Sequence, residues 1–209
     1  MNGALLQSRI NHGYAMAGNQ IGTAHTWYRG GMLNPTQPQY IMGSLLAAWS
    51  VDAAFKTPPN YQTLLYRGFL DVSQAVPGDI LIGARTFVML ETGPLMPPVG
   101  LVCTDLLTIE RSAATSTAGL QTYIDQLAST VIAQGLPGNI QIKKEVGTLP
   151  TGLPADVSRK TYWLVSFYAP DGFVKDGDII TDGEGYRYQV TAANWQSIYY
   201  QCLCERVEA

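Results

Sequence analysis

The sequence predicts a mainly β (α+β) protein, in which two small domains of β-barrel or β-sandwich type follow a short N-terminal helix. From His25 onward, short apolar runs rich in aromatic and β-branched residues alternate with Pro- and Gly-containing turns, a texture typical of strands joined by tight turns. A length of 209 residues accommodates one large β domain or two domains of about 100 residues each. A segment pattern in the first half recurs in the second half, and this recurrence favours two domains.

The N-terminal helix is predicted over residues 4–18. Apolar side chains between Leu5 and Ala17 recur there at helical spacing, and Gly18 supplies a stop. The first strands are predicted in the runs TWYRG, TLLYRGFL and DILIGARTFVML. Residues 44–55 (SLLAAWSVDAAF) suit a helix by their Ala and Leu content and a strand by their context, so both assignments stay open.

A small-residue segment, SAATSTAG at residues 112–119, lacks core-forming side chains and predicts a linker. Residues 120–135 carry apolar residues at helical spacing, which predicts a helix, although their tail STVIAQ fits a strand equally well. Residues 135–157 are rich in Gly and Pro and predict a loop region that crosses a surface. Three strand candidates close the chain: TYWLVSFYAP, DGDIITDGEGYRYQVT and IYYQCLCERV.

Two segments about half a chain apart follow the same order of residues. PGDILIGARTFVML (77–90) and DGDIITDGEGYRYQV (176–190) both run from Gly-Asp-Ile through a turn to a basic residue, an aromatic and Val. Each is followed by a bridge and an alternating strand that carries Cys and closes on Glu-Arg. We interpret this as an internal duplication, two unrelated hairpins being the alternative. Residues 1–111 are then the helix and first β domain, and residues 112–209 the linker or loop segment and second β domain.

The acidic, glycine-rich stretch at residues 176–191 is the strongest metal-site candidate in the sequence. A calcium loop of EF-hand type needs oxygen ligands at alternating positions, Gly at the sixth position and a bidentate Glu at the twelfth. Counted from Asp176, those two positions hold Thr181 and Arg187, so the spacing fails. A hairpin accounts for the same composition, because Gly supplies positive φ and Asp caps turns. We therefore predict a turn over residues 182–185 and no metal ligand.

Motifs of known catalytic sites are missing: the sequence has no G-x-S-x-G, no H-E-x-x-H and no G-x-x-x-x-G-K-[ST]. The two histidines, His12 and His25, lie in the predicted helix and in a Thr-rich loop. Cys103, Cys202 and Cys204 are expected to be reduced, and the last two place both sulfurs on one face of a strand, which is typical of core packing. We predict no catalytic, cofactor-binding or metal-binding residue and no enzyme; two carboxylates meeting in a cleft are the enzymatic alternative.

The composition favours a subunit that is covered by neighbours. Charged residues make up 14% of the chain, with twelve Tyr, and interface cores are poor in charge and rich in aromatics, although a neutral monomer is the alternative. The net charge is −3 and Glu145 follows Lys143-Lys144 at once, so no basic run suggests nucleic-acid binding. Because neither a secretory pattern nor an apolar run of bilayer length occurs, no membrane anchor is expected.

Three pairs of adjacent aromatic residues lie in predicted strands: Trp27-Tyr28, Tyr162-Trp163 and Tyr199-Tyr200. Consecutive strand residues point to opposite faces, so one member of each pair is expected in the core and the other at a surface or interface. A stacking platform for sugars is the functional alternative. Trp27, Trp163 and Trp195 side by side in an exposed groove would favour it.

Several short segments occur in a recognisable order. Residues 5–29 combine a helix, a Gly-containing turn and a Tyr-Arg strand, and they are followed by PGDIL, TFV, PLMPP, LPADV, YWLV, GDIITD and GYRYQV. In this order the chain resembles a group of tailed-bacteriophage virion proteins encoded among the neck and tail genes. The last hairpin is also similar to that of small head-closure and joining proteins that cap a portal. Thr161-Tyr162-Trp163 departs from the pattern because Pro does not precede its aromatics, and the Cys-rich end is atypical.

The resemblance implies a non-enzymatic structural subunit of a virion, assembled in the cytoplasm of the bacterial host. The subunit is expected to form an oligomeric ring at the head–tail junction (neck) or upper tail. Its implied partners are further copies and other virion proteins, such as portal, adaptor, tail or nozzle subunits, while genomic DNA passes without specific binding. Residues 135–155 are expected to become ordered against a neighbouring ring. A receptor- or carbohydrate-binding tail component and a hydrolase are the alternatives.

Overall fold

The computed structural model describes residues 3–51, 64–73, 75–93, 95–117, 121–143 and 161–207. A 3-10 helix spans Pro38–Tyr40. The α-helix and the strands are, in chain order, α1 (Gly3–Ile21), β1 (Thr23–Tyr28), β2 (Ile41–Val51), β3 (Leu65–Phe69), β4 (Ile80–Ile82), β5 (Thr86–Glu91), β6 (Val99–Cys103), β7 (Asp105–Thr117), β8 (Gln121–Lys143), β9 (Tyr162–Phe167), β10 (Ile179–Thr181), β11 (Arg187–Trp195) and β12 (Tyr200–Val207).

The strands close into two barrels with the same topology. The strand order is β1-β2-β3-β6-β5-β4 in the first barrel and β7-β8-β9-β12-β11-β10 in the second. Each strand of the first barrel therefore has a counterpart six strands later in the chain. The predicted mainly β fold, with two small β domains behind an N-terminal helix, is confirmed, and α1 is slightly longer than predicted.

The two barrels also share their strand register. The β5–β6 ladder shifts register between Met89 and Glu91, and the β11–β12 ladder shifts between Val190 and Ala192. A bulge bends one strand and fixes the local twist of the pair. Its recurrence at the same place in both ladders supports the interpretation of the chain as an internal duplication, in which residues 77–90 and 176–190 correspond.

The domain boundary expected after residue 111 falls inside β7 and has to be moved. β7 pairs with β8 and β10, so the second barrel begins directly after Thr104. Residues 112–117, expected as a linker, continue this strand, because backbone groups rather than large side chains make the ladder hydrogen bonds. Residues 118–119 lie outside the described part of the chain.

Residues 121–135 form a strand: the expected helix is wrong for the first part of this run, and the tail STVIAQ (129–134), for which helix and strand were both open, is a strand. β8 covers residues 121–135 and continues through residues 136–143, which were expected as a surface loop. It pairs with β7 on one side and β9 on the other, and these ladders outweigh the local helical spacing. The open alternative at residues 44–51 is resolved as strand β2; residues 52–55 and 144–157 lie outside the described residues.

Among the described residues, three apolar clusters hold this architecture together. One fills the second barrel and one fills the first. The third lies on the outer face of the first barrel and consists of Ile80, Val88, Leu90, Leu101 and Cys103, against which Tyr168, Ile198 and Tyr199 of the second barrel pack. We call this third cluster the junction core. Full burial of one such side chain contributes about 1.5–3 kcal/mol, so the barrels are packed together through a core of their own.

Candidate functional site

In the described residues, each barrel contains an arginine–aspartate ion pair at the same place in its fold. Arg29, which directly follows β1, donates to Asp79 through Nε at 2.7 Å and Nη2 at 2.8 Å. Arg111 in β7 donates in the same way to Asp178, at 2.9 Å and 2.8 Å. Hydrogen bonds to the aspartates raise the pKa of both arginines. Bidentate pairs of this kind are short, directional and strong.

Each aspartate also closes the turn that precedes it. One carboxylate oxygen of Asp79 accepts the backbone N–H three residues earlier at 2.9 Å, and Asp178 does the same at 2.8 Å. The glycine before each aspartate has positive φ, +92° at Gly78 and +90° at Gly177, a conformation that side chains with a Cβ disfavour. The Gly-Asp of the repeated segment is thus a structural clasp that ties the first strand of each barrel to the fourth.

The acidic stretch at residues 176–191 forms the predicted hairpin between β10 and β11. Oδ1 of Asp182 accepts the backbone N–H groups of Glu184 and Tyr186 at 3.0 Å and 2.9 Å, and Oδ2 accepts the hydroxyl of Tyr188 at 3.0 Å. Burial and this hydrogen bond raise the pKa of Tyr188. The carboxylate of Asp182 therefore caps the turn, as its composition indicated. Within the described residues, no group of three or more His, Cys, Asp or Glu is placed to hold a metal ion.

The candidate nucleophiles and bases do not come together. Cys202 and Cys204 are buried in the second barrel, which confirms their expected packing role, and Cys103 lies in the junction core. Burial raises the pKa of all three thiols, to about 12 for Cys202, so they stay protonated at neutral pH. His25 is buried in the first barrel with Nδ1 2.8 Å from a backbone carbonyl oxygen, whereas His12 is exposed on α1.

The tryptophans do not form one exposed row. Trp27 is buried inside the first barrel, and Trp163 and Trp195 pack against the core of the second. The ring centroid of Trp163 lies 5.4 Å from that of Tyr188, and the centroid of Trp195 lies 5.1 Å from that of Tyr200. The arrangement that would favour a sugar platform is therefore not met at these three residues.

Two of the adjacent aromatic pairs follow the predicted alternation. Trp27 and Tyr200 are buried inside their barrels. Their neighbours Tyr28 and Tyr199 point to the other face and pack against the junction core. The outward-facing member of each pair, expected at a surface or an interface, thus lies at the interface between the two barrels.

A cleft of about 620 Å³ opens beside the place where the two barrels meet. We call it the Arg85 cleft, because Arg85 is the charged residue among the described residues that line it. Arg85 is exposed and donates from Nη1 to the hydroxyl oxygen of Tyr66 at 3.1 Å. Asn139 from β8 also lines the cleft, is 1% exposed, and has no hydrogen-bond partner for Oδ1 within the described structure.

The carboxylate pair of the enzymatic alternative is not found in the clefts near the junction. A smaller cleft of about 110 Å³ between the barrels contains Asp79, which is held by Arg29. A third cleft of about 200 Å³ contains Asp105. In the part of the chain that the structure describes, neither of these clefts nor the Arg85 cleft brings two carboxylates together.

The two barrels differ on their corresponding outer faces. Three apolar residues of the junction core, Val88, Leu90 and Leu101, correspond by strand register to Gln189, Thr191 and Glu205 in the second barrel. A Cβ on Gly78 would lie 2.7 Å from the ring of Tyr168, but a Cβ on Gly177 would meet nothing within 4 Å. The corresponding face of the second barrel therefore carries three polar residues in place of apolar ones, although Ile179 and Val207 there remain apolar. This face does not repeat the packing of the junction core.

Helix α1 covers part of the first barrel on the opposite side. It packs on β2 and β3, where a Cβ on Gly18 would lie 2.6 Å from the carbonyl oxygen of Phe69. By register, β2 corresponds to β8, a strand of the second barrel that contacts β5 and β6 of the first. Large apolar side chains nevertheless remain exposed around α1 and β2: Leu5, Leu6, Met16, Ile21, Ile41, Met42, Leu46 and Val51.

Sequence reasoning missed both the clasp and the Arg85 cleft. The repeated Gly-Asp-Ile was noticed, but its arginine partners are 50 and 67 residues away from the aspartates. A buried aspartate needs a cation nearby. The arginine directly after β1 and the arginine within β7 were therefore the sequence signal from which the two ion pairs could have been found. The Arg85 cleft had no local signal, since its lining comes from strands of both barrels.

Comparison with known proteins identifies no relative: no family model matches the chain, and neither curated proteins nor solved structures give a match. Among the described residues, no helix is long and apolar enough to cross a membrane.

Proposed function

We propose that this protein is a non-enzymatic structural subunit of a tailed-phage virion, which assembles into a ring at the head–tail junction or in the upper tail. In this role it would connect portal or adaptor proteins to tail components. The proposal begins from the order of sequence segments, which resembles neck and tail virion proteins. The structural observation that supports it best is the exposed apolar surface around α1 and β2.

Several large apolar side chains of that surface are about half exposed. Met42 and Val51 are each 51% exposed, and Leu5 is 53% exposed. Exposed apolar patches with polar surroundings mark sites of protein association. Most of the exposed large apolar side chains of the described structure lie in residues 3–103, so the two barrels present chemically different faces. Different faces on one subunit are what a head-to-tail ring requires.

The packed contact between the two barrels fits the same role. The junction core joins the barrels, and the backbone N–H of Thr104 donates to the carbonyl oxygen of Gly138 across their contact at 2.9 Å. A ring subunit has to present its contact surfaces at a fixed angle, or the ring does not close. A packed junction supplies that fixed angle better than a flexible linker.

The charge of the chain suits a ring around DNA that must remain free to move. The net charge is −3, and strong binding to phosphates requires clustered Lys and Arg. A mildly acidic subunit therefore does not hold the passing genome.

The test is the mass of the full-length protein under native conditions. We expect one closed oligomer in native mass spectrometry, and ring-shaped particles of the same stoichiometry in negative-stain electron microscopy. A strict monomer at about 100 μM that also fails to bind portal or tail proteins contradicts the proposal. Binding of glycans to the same preparation, measured on a glycan array, would instead favour a receptor- or carbohydrate-binding component.

A further inference from the structure

The tips of two corresponding hairpins carry opposite charge. The β4–β5 turn of the first barrel contains Arg85, and the β10–β11 turn of the second contains Asp182 and Glu184. The same contrast holds for the two parts of the chain. Residues 1–104 have five Lys and Arg against four Asp and Glu, a net charge of +1, whereas residues 105–209 have eight against twelve, a net charge of −4.

The acidic tip is narrow and offers one carboxylate. Asp182 uses both of its carboxylate oxygens for hydrogen bonds within the turn. Glu184 is exposed and stands between Gly183 and Gly185, at which a Cβ would meet nothing within 4 Å. The two glycines leave the Glu184 side chain accessible from both sides. The tip can therefore enter a concave surface without steric conflict from its neighbours.

The Arg85 cleft has the size and the chemistry to receive such a tip. Its volume of about 620 Å³ lies within the roughly 300–1,000 Å³ of pockets that hold sizeable ligands. Arg85 supplies a guanidinium with donors to spare beyond its one bond to Tyr66. Asn139, whose Oδ1 lacks a hydrogen-bond partner within the described structure, can accept a backbone N–H of the turn, whereas the hydroxyl of Thr104 already donates to Asp105.

We propose that the Arg85 cleft of one copy of the chain receives the β10–β11 turn of a second copy, with Glu184 paired to Arg85. The proposal rests on the ring function proposed above and assigns its subunit contact. The junction core is already buried between the barrels, and its counterpart in the second barrel carries polar residues, so the contact between copies uses another surface. The exposed apolar surface around α1 and β2 is left for the portal, adaptor or tail proteins. The two sites lie on different barrels of one chain, so the contact is head-to-tail and leaves a free site at each end until a ring closes.

Charge reversal in the full-length protein tests this contact. Arg85→Glu and Glu184→Arg are each expected to raise the dissociation constant of the oligomer by at least about tenfold, because each places like charges in contact. The double variant Arg85→Glu with Glu184→Arg restores the opposite charges and is expected to assemble within about threefold of the unmodified protein. Sedimentation velocity over a dilution series gives these constants, and circular dichroism checks that every variant remains folded.

Two controls match the charge changes at exposed positions outside both the contact and the apolar surface around α1 and β2, Lys175→Glu and Asp171→Arg, and both are expected to assemble normally. If the unmodified protein is oligomeric and the single reversals assemble like these controls, or the double variant is as weak as the single ones, the contact is wrong and the ring function stands. If the unmodified protein is a strict monomer, the contact is wrong; if that monomer also fails to bind portal or tail proteins, the ring function fails as well.

Discussion

The indole of Trp49 stacks on the ring of Phe87 in the first barrel, with centroids 4.2 Å apart and planes inclined by 13°. Two glycines make the space for this indole. A Cβ on Gly68 would lie 2.9 Å from Cζ3 of Trp49, and a Cβ on Gly100 would lie 2.4 Å from the same atom. Glycine is thus required on two neighbouring strands because one large side chain lies across them.

Substitution of Gly100 by alanine is expected to destabilise the first barrel by about 1–3 kcal/mol, because the added methyl group overpacks the slot of Trp49. Urea unfolding measures the loss, and a reduced near-ultraviolet circular dichroism signal would report the displaced indole. Gly31→Ala is the matched control, since a Cβ there meets nothing within 4 Å. Adding Trp49→Phe to Gly100→Ala should recover part of the loss. Equal stability of the two glycine variants would contradict this packing argument.

The clasp of the second barrel should be important for stability. Asp178→Ala is expected to lower the free energy of unfolding by about 2–4 kcal/mol, because it leaves Arg111 without its carboxylate and removes the cap of the preceding turn. The control is Asp171→Ala at an exposed position, for which about 0.5 kcal/mol or less is expected. Chemical denaturation of both variants gives the comparison, and a loss at residue 178 no larger than at residue 171 would show that the clasp is not stabilising.

The junction core should couple the two barrels. Leu101 is fully buried in it, so Leu101→Ala is expected to cost about 2–5 kcal/mol and to separate one thermal transition into two. Differential scanning calorimetry reports the number of transitions. Leu106→Ala, at a leucine that is 52% exposed, serves as the control and should keep the original transition. Unchanged cooperativity in the Leu101 variant would mean that the barrels unfold together for another reason.

The buried thiols should make the protein less stable in alkali. The pKa of Cys202 is raised from 9.0 to about 12 by burial, so between those values the unfolded chain releases a proton that the folded chain retains. The stability that the buried, protonated thiol contributes is complete below about pH 9 and is lost as the pH rises towards 12. The free energy of unfolding then falls by at most about 1.4 kcal/mol per pH unit for one thiol.

This alkaline loss can be assigned to one thiol by comparing slopes. Urea unfolding between pH 8 and 11 should give a shallower pH dependence for Cys202→Ala than for the unmodified protein, whatever its stability at neutral pH. Val190→Ala changes a buried neighbour that does not titrate and should keep the original slope. Parallel slopes for all three proteins would exclude Cys202 as the source.

The parts of the structure that could be predicted from sequence are those with local causes. The hairpin at residues 182–185 followed from Gly and Asp at turn positions, and the face shared by Cys202 and Cys204 followed from the period of a strand. The recurrence of Gly-Asp-Ile indicated the duplication because the same turn, with positive φ at Gly78 and Gly177, needs the same residues. Each of these features depends on residues that are adjacent in the chain.

Only the tertiary structure decided the features that depend on distant partners. β8 is a strand because β7 and β9 supply its hydrogen bonds, although part of its sequence has helical spacing. The boundary between the two barrels lies at Thr104, because β7 pairs with β8 and β10 of the second barrel. The outer face of the first barrel is apolar because the second barrel covers it. The sequence by itself determined which strands and turns could form. The contact between the barrels decided which outer faces are buried, because an apolar side chain leaves water only where another surface covers it.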